Sequence, residues 1–378
     1  MDALNFLIDG LAHITWEQVI MWGVGAVLIY LAIAKKIEPA LLLPMGFGAI
    51  LINIPFSGAM GEAGIVQWLF EIGIEASEAM PLLLFIGIGA MIDFGPLLSN
   101  PKLIFFGAAA QFGIFITIIL AALCGFDIAD ASAIGIIGAA DGPTSILVAN
   151  VLKSGYIGAI AVVAYSYMAL VPIIQPAVIK MVTTKKERTI KMPYAPTEVK
   201  RITKILFPII VTIIAGLVAP DSVSLVGMLM FGNLLRECGV LDNLSDTAQT
   251  ALTNIITLLL GITIAASMKA ENFVTLQTLI IMALGLFAFT FDTIGGVFFA
   301  KFVNLFLPAN KKINPMVGAA GISAFPMASR VVQKLGIEAD PNNHLLMHAV
   351  SANVSGQIAS VVAGGVILSI VPSIIAGM

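Results

Sequence analysis

The chain has 378 residues, 59% of them hydrophobic and only 11% charged, with a mean hydropathy of +1.03. Soluble domains are about a quarter charged, so this is the composition of a polytopic membrane protein. The net charge of −3, confined to loops, gives no footing for a nucleic-acid partner.

Apolar segments suited to helices run over 16–34, 39–56, 80–98, 101–124, 129–151 and 156–180, and then over 203–219, 221–236, 253–270, 274–307, 313–335 and 342–376. The N-terminus lacks a basic region before its first apolar segment, which therefore reads as a retained span. Between the second and third segments, Gly64 to Glu71 forms a short amphipathic piece with Trp68 suited to an interface. Cys124 and Cys238 end different apolar segments without ligand spacing to His13, His344 or His348, and read as packing residues.

The two halves echo each other. Leu42 to Gly48 recurs in style as Val226 to Gly232, and Gly138-Ala139-Ala140 as Gly318-Ala319-Ala320. The repeat of about 180 residues is a duplicated half-protein, with residues 1–180 and 205–378 as its copies. Lys35 and Lys36 put the loop after the first span in the cytoplasm, and the acidic loop with Glu62, Glu71, Glu75 and Glu78 outside. Simple alternation would then carry the linker 181–204 outside, although Lys185, Lys186, Arg188, Lys191, Lys200, Arg201 and Lys204 make it the most basic stretch. If the segment 129–151 enters from outside and returns without crossing, the linker is cytoplasmic and the second half is inverted. The segment 313–335 is then re-entrant from the cytoplasm. The expected architecture is all-α, with two inverted repeats of about ten transmembrane helices in total plus two broken elements. Twelve ordinary helices, with the linker an exception to a statistical rule, is the competing arrangement.

The first broken element holds Gly138-Ala139-Ala140-Asp141-Gly142-Pro143-Thr144-Ser145. A charge near the bilayer centre costs about 2.5–3.5 kcal/mol, and Gly-Pro frees backbone that must be buried or wet. Carboxylate, carbonyl and hydroxyl oxygens are what a small hard cation needs in place of water. A structural carboxylate would instead pair with a cation, and none precedes Lys153 within that segment. The second element, Asn314 to Arg330, offers neutral oxygens at Asn314 and Ser323 and exposed backbone at its Gly and Pro residues; singly, Asn314-Pro315 also suits a helix start, Ser323 a bond back to a carbonyl and Arg330 a snorkelling anchor. Tyr167 follows Asp141 in the next helix, as packing residue or proton donor. Asp292 is a second intramembrane acid, and His344, His348, Ser351 and Asn353 make the last segment polar. No P-loop or nucleophile elbow is present.

At Gly138 to Ser145, and again from Asn314 to Arg330, the sequence resembles the beta subunit of the sodium-pumping biotin-dependent decarboxylases, over essentially the whole chain. The resemblance implies a subunit of a bacterial cytoplasmic membrane complex that decarboxylates carboxybiotin, consumes a proton from outside and exports Na⁺. It implies that Asp141 exchanges Na⁺ for a proton and that Asn314, Gly318 and Ser323 continue the ion path. Tyr167 would assist the exchange and Arg330 would hold the carboxylate of carboxybiotin, for which a guanidinium fork is suited. The biotin-acceptor Ala-Met-Lys-Met is absent, so biotin would arrive on a carrier subunit, alongside a carboxyltransferase (alpha) subunit and a small membrane anchor, in an assembly with several copies of this chain. The compact length looks more like the glutaconyl-CoA and methylmalonyl-CoA members than the oxaloacetate members. The alternative from another class is a Na⁺-coupled carboxylate transporter or a Na⁺/H⁺ antiporter, because inverted repeats suit either.

Overall fold

The computed structural model describes residues 10–36, 38–61, 63–76, 79–193, 198–218 and 220–377, and among them every regular element is helical. Glu62 and Glu78 of the acidic loop lie outside the described residues.

α1 (Trp16–Ala34) opens on a capping box in which Thr15 and Gln18 satisfy each other's backbone N–H. α2 (Pro39–Ile52) folds back on α1 where Gly25 and Gly46 lie backbone to backbone. The short helix Ile65–Phe70 and a π-helical turn, Glu71–Glu75, precede α3 (Ala79–Met91). α4 (Pro101–Leu123) is interrupted at Gln111. α5 (Ile128–Gly135), the 3-10 turn Ile136–Ala139 and α6 (Gly142–Val151) make the first broken element. α7 (Ile157–Val182) bends by 67° between Met168 and Leu170. Pro172 explains the position, since it denies the Met168 carbonyl its helical partner and crowds it.

The second half contains α8 (Arg201–Val218), α9 (Val223–Glu237), α10 (Asp242–Ala265) and α11 (Leu276–Leu305). α10 also carries a π-helical turn near its start, Ala248–Leu252. α12 (Met316–Ala319) and α13 (Met327–Ala339) make the second broken element, and α14 (Leu346–Gly377) closes the chain.

Most of the expected segments therefore return as helices within a few residues, although the one expected at 253–270 begins much earlier, at Asp242, and not all are spans. Five helices are long and apolar enough to cross a membrane, or seven if each of two bent pairs counts as one span. α2 shows why the number falls below ten: its 14 residues reach about 21 Å, short of a hydrocarbon core about 30 Å thick.

Both breaks lie deep inside. Residues 131–149 and 314–324 are buried without exception, as irregular backbone at membrane depth must be. α11 packs against α4, α7 and the first break, and α14 against α4, α6 and α13. The two longest helices thus hold the broken elements between them.

Candidate functional site

The first break is made by Ala140, whose left-handed backbone (φ 54°, ψ 43°) ends the 3-10 turn. Asp141 follows in extended geometry as the N-cap of α6, and Pro143 sits in the first turn, where a missing N–H leaves nothing unsatisfied. One carboxylate oxygen of Asp141 (Oδ1) accepts the Thr144 N–H at 3.3 Å. The other, Oδ2, accepts the Ser360 hydroxyl of α14 at 2.9 Å. Asp141 is 4% exposed, and among the described residues no Lys or Arg pairs with it. The partial positive charge of the α6 N-terminus and two hydrogen bonds are its electrostatic support.

The second break is tied directly to the first. The Ser323 N–H donates to the Ala139 carbonyl at 2.9 Å, and the Ser323 hydroxyl donates to the Gly356 carbonyl at 3.2 Å. The Asn353 amide donates to the Ile322 carbonyl at 2.6 Å, and the Gln357 amide donates to the Ser323 carbonyl. On α7, the Gln175 amide donates to the Ala319 carbonyl at 2.8 Å. One polar face of α14 thus serves both breaks: Asn353 and Gln357 hold the second, and Ser360 holds the carboxylate of the first.

Oxygen is the ligand chemistry that remains. Thr144 Oγ1, Tyr165 Oη, Gln175 Oε1 and Asn353 Oδ1 are buried without a hydrogen-bond partner. The Tyr165 ring lies against Gly142, so closely that a Cβ at Gly142 would collide with it. A carboxylate with neutral oxygens and no competing ammonium suits a hard monovalent cation or a proton, and suits a transition metal poorly. Among the described residues no cluster of His, Cys, Asp and Glu could hold a metal ion.

Of the residues singled out from sequence, Asp141 and Ser323 come together at the paired breaks. Gly318 lies backbone to backbone with Gly296 of α11. The Tyr167 hydroxyl turns to α11 and donates to the Met282 carbonyl at 2.6 Å; the tyrosine beside the Asp141 turn is Tyr165. The Asn314 amide donates to the carbonyls of Arg188 (2.9 Å) and Ile190 (2.8 Å), seating the basic linker on the second element. Asn343 adds a bond to the Arg188 carbonyl at 2.8 Å. Arg330 is exposed in the first turn of α13 and has no ion-pair partner among the described residues. It lines a cavity of about 290 Å³ with Pro172, Pro176, Lys180, Lys334 and Glu338. Sequence reasoning passed over Gln357 and Ser360, yet with Asn353 they mark positions i, i+4 and i+7, one helical stripe in an otherwise apolar segment.

The architecture defines an all-helical, multi-pass membrane protein whose two broken elements meet around one buried carboxylate. A family model described as the Na⁺-transporting oxaloacetate decarboxylase beta subunit matches residues 17–371, and the chain belongs to that family. It is 50% identical over 363 residues to the glutaconyl-CoA decarboxylase subunit beta of Acidaminococcus fermentans, covering 96% of each protein. To the methylmalonyl-CoA decarboxylase subunit beta of Veillonella parvula it is 50% identical over 361 residues, covering 96% of this chain and 95% of that one. To the oxaloacetate decarboxylase beta chain of Klebsiella pneumoniae it is 44% identical over 434 residues, covering 98% of this chain and 99% of that one. It is thus a membrane subunit of the Na⁺-transporting decarboxylases, and the transporter alternative is not favoured.

Proposed function

We propose that this chain exports Na⁺ at the expense of carboxybiotin delivered by a partner subunit. The observation that carries the proposal is Asp141, a buried carboxylate at the contact of two broken elements, without a cationic partner among the described residues. Such a group holds Na⁺ or a proton at one position, which is antiport in its simplest form. Ser323 supplies oxygen at the same contact, while Asn314 fixes the second element to the linker and Gly318 seats it on α11. Tyr167 steadies α7 against α11 and assists the exchange. The carboxylate of carboxybiotin docks on Arg330, whose free guanidinium in a cationic cavity fits it. There the bond from carboxyl carbon to ring nitrogen breaks, CO₂ leaves, and the nitrogen takes the proton that Asp141 releases when Na⁺ replaces it.

The topology that goes with this function is two inverted repeats, residues 1–180 and 205–378, joined by the cytoplasmic linker 181–204 in a bacterial cytoplasmic membrane. About ten crossings and two re-entrant elements, near 129–151 and 313–335, complete it. Reciprocal packing supports the repeat. α2 lies on α10 as α9 lies on α3, and α4 lies on α14 as α11 lies on α7. A π-helical turn also precedes the third helix of the first half and lies near the start of the third helix of the second. Partners are a biotin carrier, a carboxyltransferase (alpha) subunit, a small membrane anchor and further copies of this chain. An acyl-CoA complex is the preferred setting, because the alignment with the Klebsiella oxaloacetate relative spans 434 residues while those with the acyl-CoA relatives span 361, 363 and 389, nearer the 378 of this chain.

The test is uptake of radioactive sodium into inverted vesicles holding the reconstituted complex. Addition of the acyl-CoA substrate should drive uptake that avidin abolishes. Uptake that avidin leaves intact, or none during decarboxylation, would sink the proposal.

A further inference from the structure

Asp292 lies mid-way along α11 and is fully buried. The proposed pump cycle does not use it. Among the described residues it enters no ion pair. The elements packed on α11 are α4, α5 with its 3-10 turn, α7 and α12. Their charged or titratable side chains are Lys102, Asp130, Tyr165, Tyr167 and Lys180. Lys180 is paired with Glu338, as Lys301 further along α11 is paired with Glu187. Asp141 follows directly after the turn. Among the described residues no cation is therefore placed to neutralise an ionised Asp292.

The carboxyl group is seated on backbone instead. Its Oδ1 accepts the Ile114 N–H at 3.2 Å, just after the interruption of α4, an N–H that it shares with the Gln111 carbonyl at 3.2 Å. A Cβ at Gly113 would lie 2.5 Å from Oδ1, and one at Gly138 would lie 2.5 Å from Oδ2. The group fits because both positions are glycine. Oδ2 itself has no hydrogen-bond partner, and it is turned toward the 3-10 turn that carries Gly138, three residues before Asp141.

A space-filling role would be met by an apolar side chain, without the cost of a buried polar atom. A carboxyl with one oxygen bonded and the other unpartnered against Gly138 is placed to gain and lose a proton. As the neutral acid it keeps the Ile114 bond and carries no charge through the bilayer. As the anion it needs new donors, which arrive only if the first broken element shifts along α11. We infer that Asp292 is a second proton-binding carboxyl group of the membrane interior, loaded at Oδ2 against Gly138 and unloaded to water when the first broken element moves.

This site rests on the pump function proposed above, and two measurements separate the two. In the reconstituted complex, Asp292→Asn keeps an acceptor for Ile114 and a neutral donor at the Oδ2 position. Decarboxylation-driven Na⁺ uptake should fall about tenfold or more, and the remaining uptake should lose part of its pH dependence. Uptake within about twofold of the unmodified complex, with an unchanged pH profile, would make Asp292 a spacer only. The second measurement uses the unaltered complex and does not depend on pumping. An apolar carbodiimide, which attacks protonated carboxyls, should modify Asp292 faster in acid than in alkali, read by peptide mass spectrometry. A pH-independent rate, or no modification at any pH, overturns the proposal; a complex that labels as expected but moves no sodium overturns the pump function instead.

Discussion

Asp141 does two jobs that one substitution separates. As an N-cap it accepts the Thr144 N–H, and Asn caps a helix about as well as Asp. Asp141→Asn should therefore leave thermal stability in detergent within about 1 kcal/mol while abolishing both Na⁺ movement and decarboxylation. Na⁺-dependent turnover in that variant would remove the carboxylate from the mechanism. Ser360 touches the same carboxylate through its hydroxyl, and hydrogen bonds to charged groups are worth about 1.5–3 kcal/mol. Ser360→Ala should raise the Na⁺ concentration for half-maximal decarboxylation about tenfold, with little loss at saturating Na⁺. An unchanged sodium requirement would mean that Ser360 merely packs. For Arg330, the guanidinium fork is the argued feature, so Arg330→Lys should keep assembly but lose most carboxybiotin turnover. Near-normal turnover would leave it a charge anchor.

At the scale of elements, the basic linker is a strap fastened on the second broken element. Asn314 and Asn343 hold its carbonyls, Lys191 pairs with Asp340 at 2.9 Å, and Glu187 pairs with Lys301 at 3.0 Å. Asn314→Ala leaves the Ile190 carbonyl without this donor and removes one of two donors to the Arg188 carbonyl, at a cost of about 1–3 kcal/mol. Trypsin should then cut near Lys191 several-fold faster, and equal cutting would show that the strap is held elsewhere. The strap is also acid-sensitive. Burial pushes the Glu187 carboxyl up, but the Thr184 N–H and the Lys301 ammonium outweigh it and hold Glu187 below the usual range. The Lys191 ammonium, with the Asn342 N–H, holds Asp340 below the usual range too. Carboxyls depressed in the folded state stabilise it above their unfolded pKa and lose that contribution as pH falls through the folded one. Linker cutting, measured with an acid-tolerant protease, should stay constant through neutral pH and rise as pH falls through the ordinary carboxylate range and below it.

For the whole molecule, the proposed inverted topology makes the linker and the π-turn of the first half lie on opposite sides. Single cysteines at Lys191 and Glu75, in a background lacking Cys124 and Cys238, should react with an impermeant maleimide from opposite faces of sealed vesicles. Labelling from one face would return the chain to the twelve-helix arrangement. Contacts between the N-terminal and C-terminal parts of the chain also join the two breaks: the Ser323 N–H bonds to the Ala139 carbonyl.

Helix positions, the two interruptions and Asp141 were legible because they are local properties. Apolar runs, Gly-Pro steps and a lone acid in an apolar segment need no partner to be recognised. The polar stripe of α14 was legible in principle, since Asn353, Gln357 and Ser360 recur at helical spacing. What each stripe residue touches was not, because Asp141 and Ser360 are 219 positions apart. Tertiary packing alone brought Tyr165 to the Asp141 turn and sent the Tyr167 hydroxyl to Met282, two residues apart and so on different faces of α7. It also gave Asn314 to the linker. The sequence by itself determined where the chain must break and which charge the break carries; only the folded arrangement, through side chains seated against Gly142 and Gly138 and a backbone-to-backbone approach at Gly318, decided which oxygens surround it.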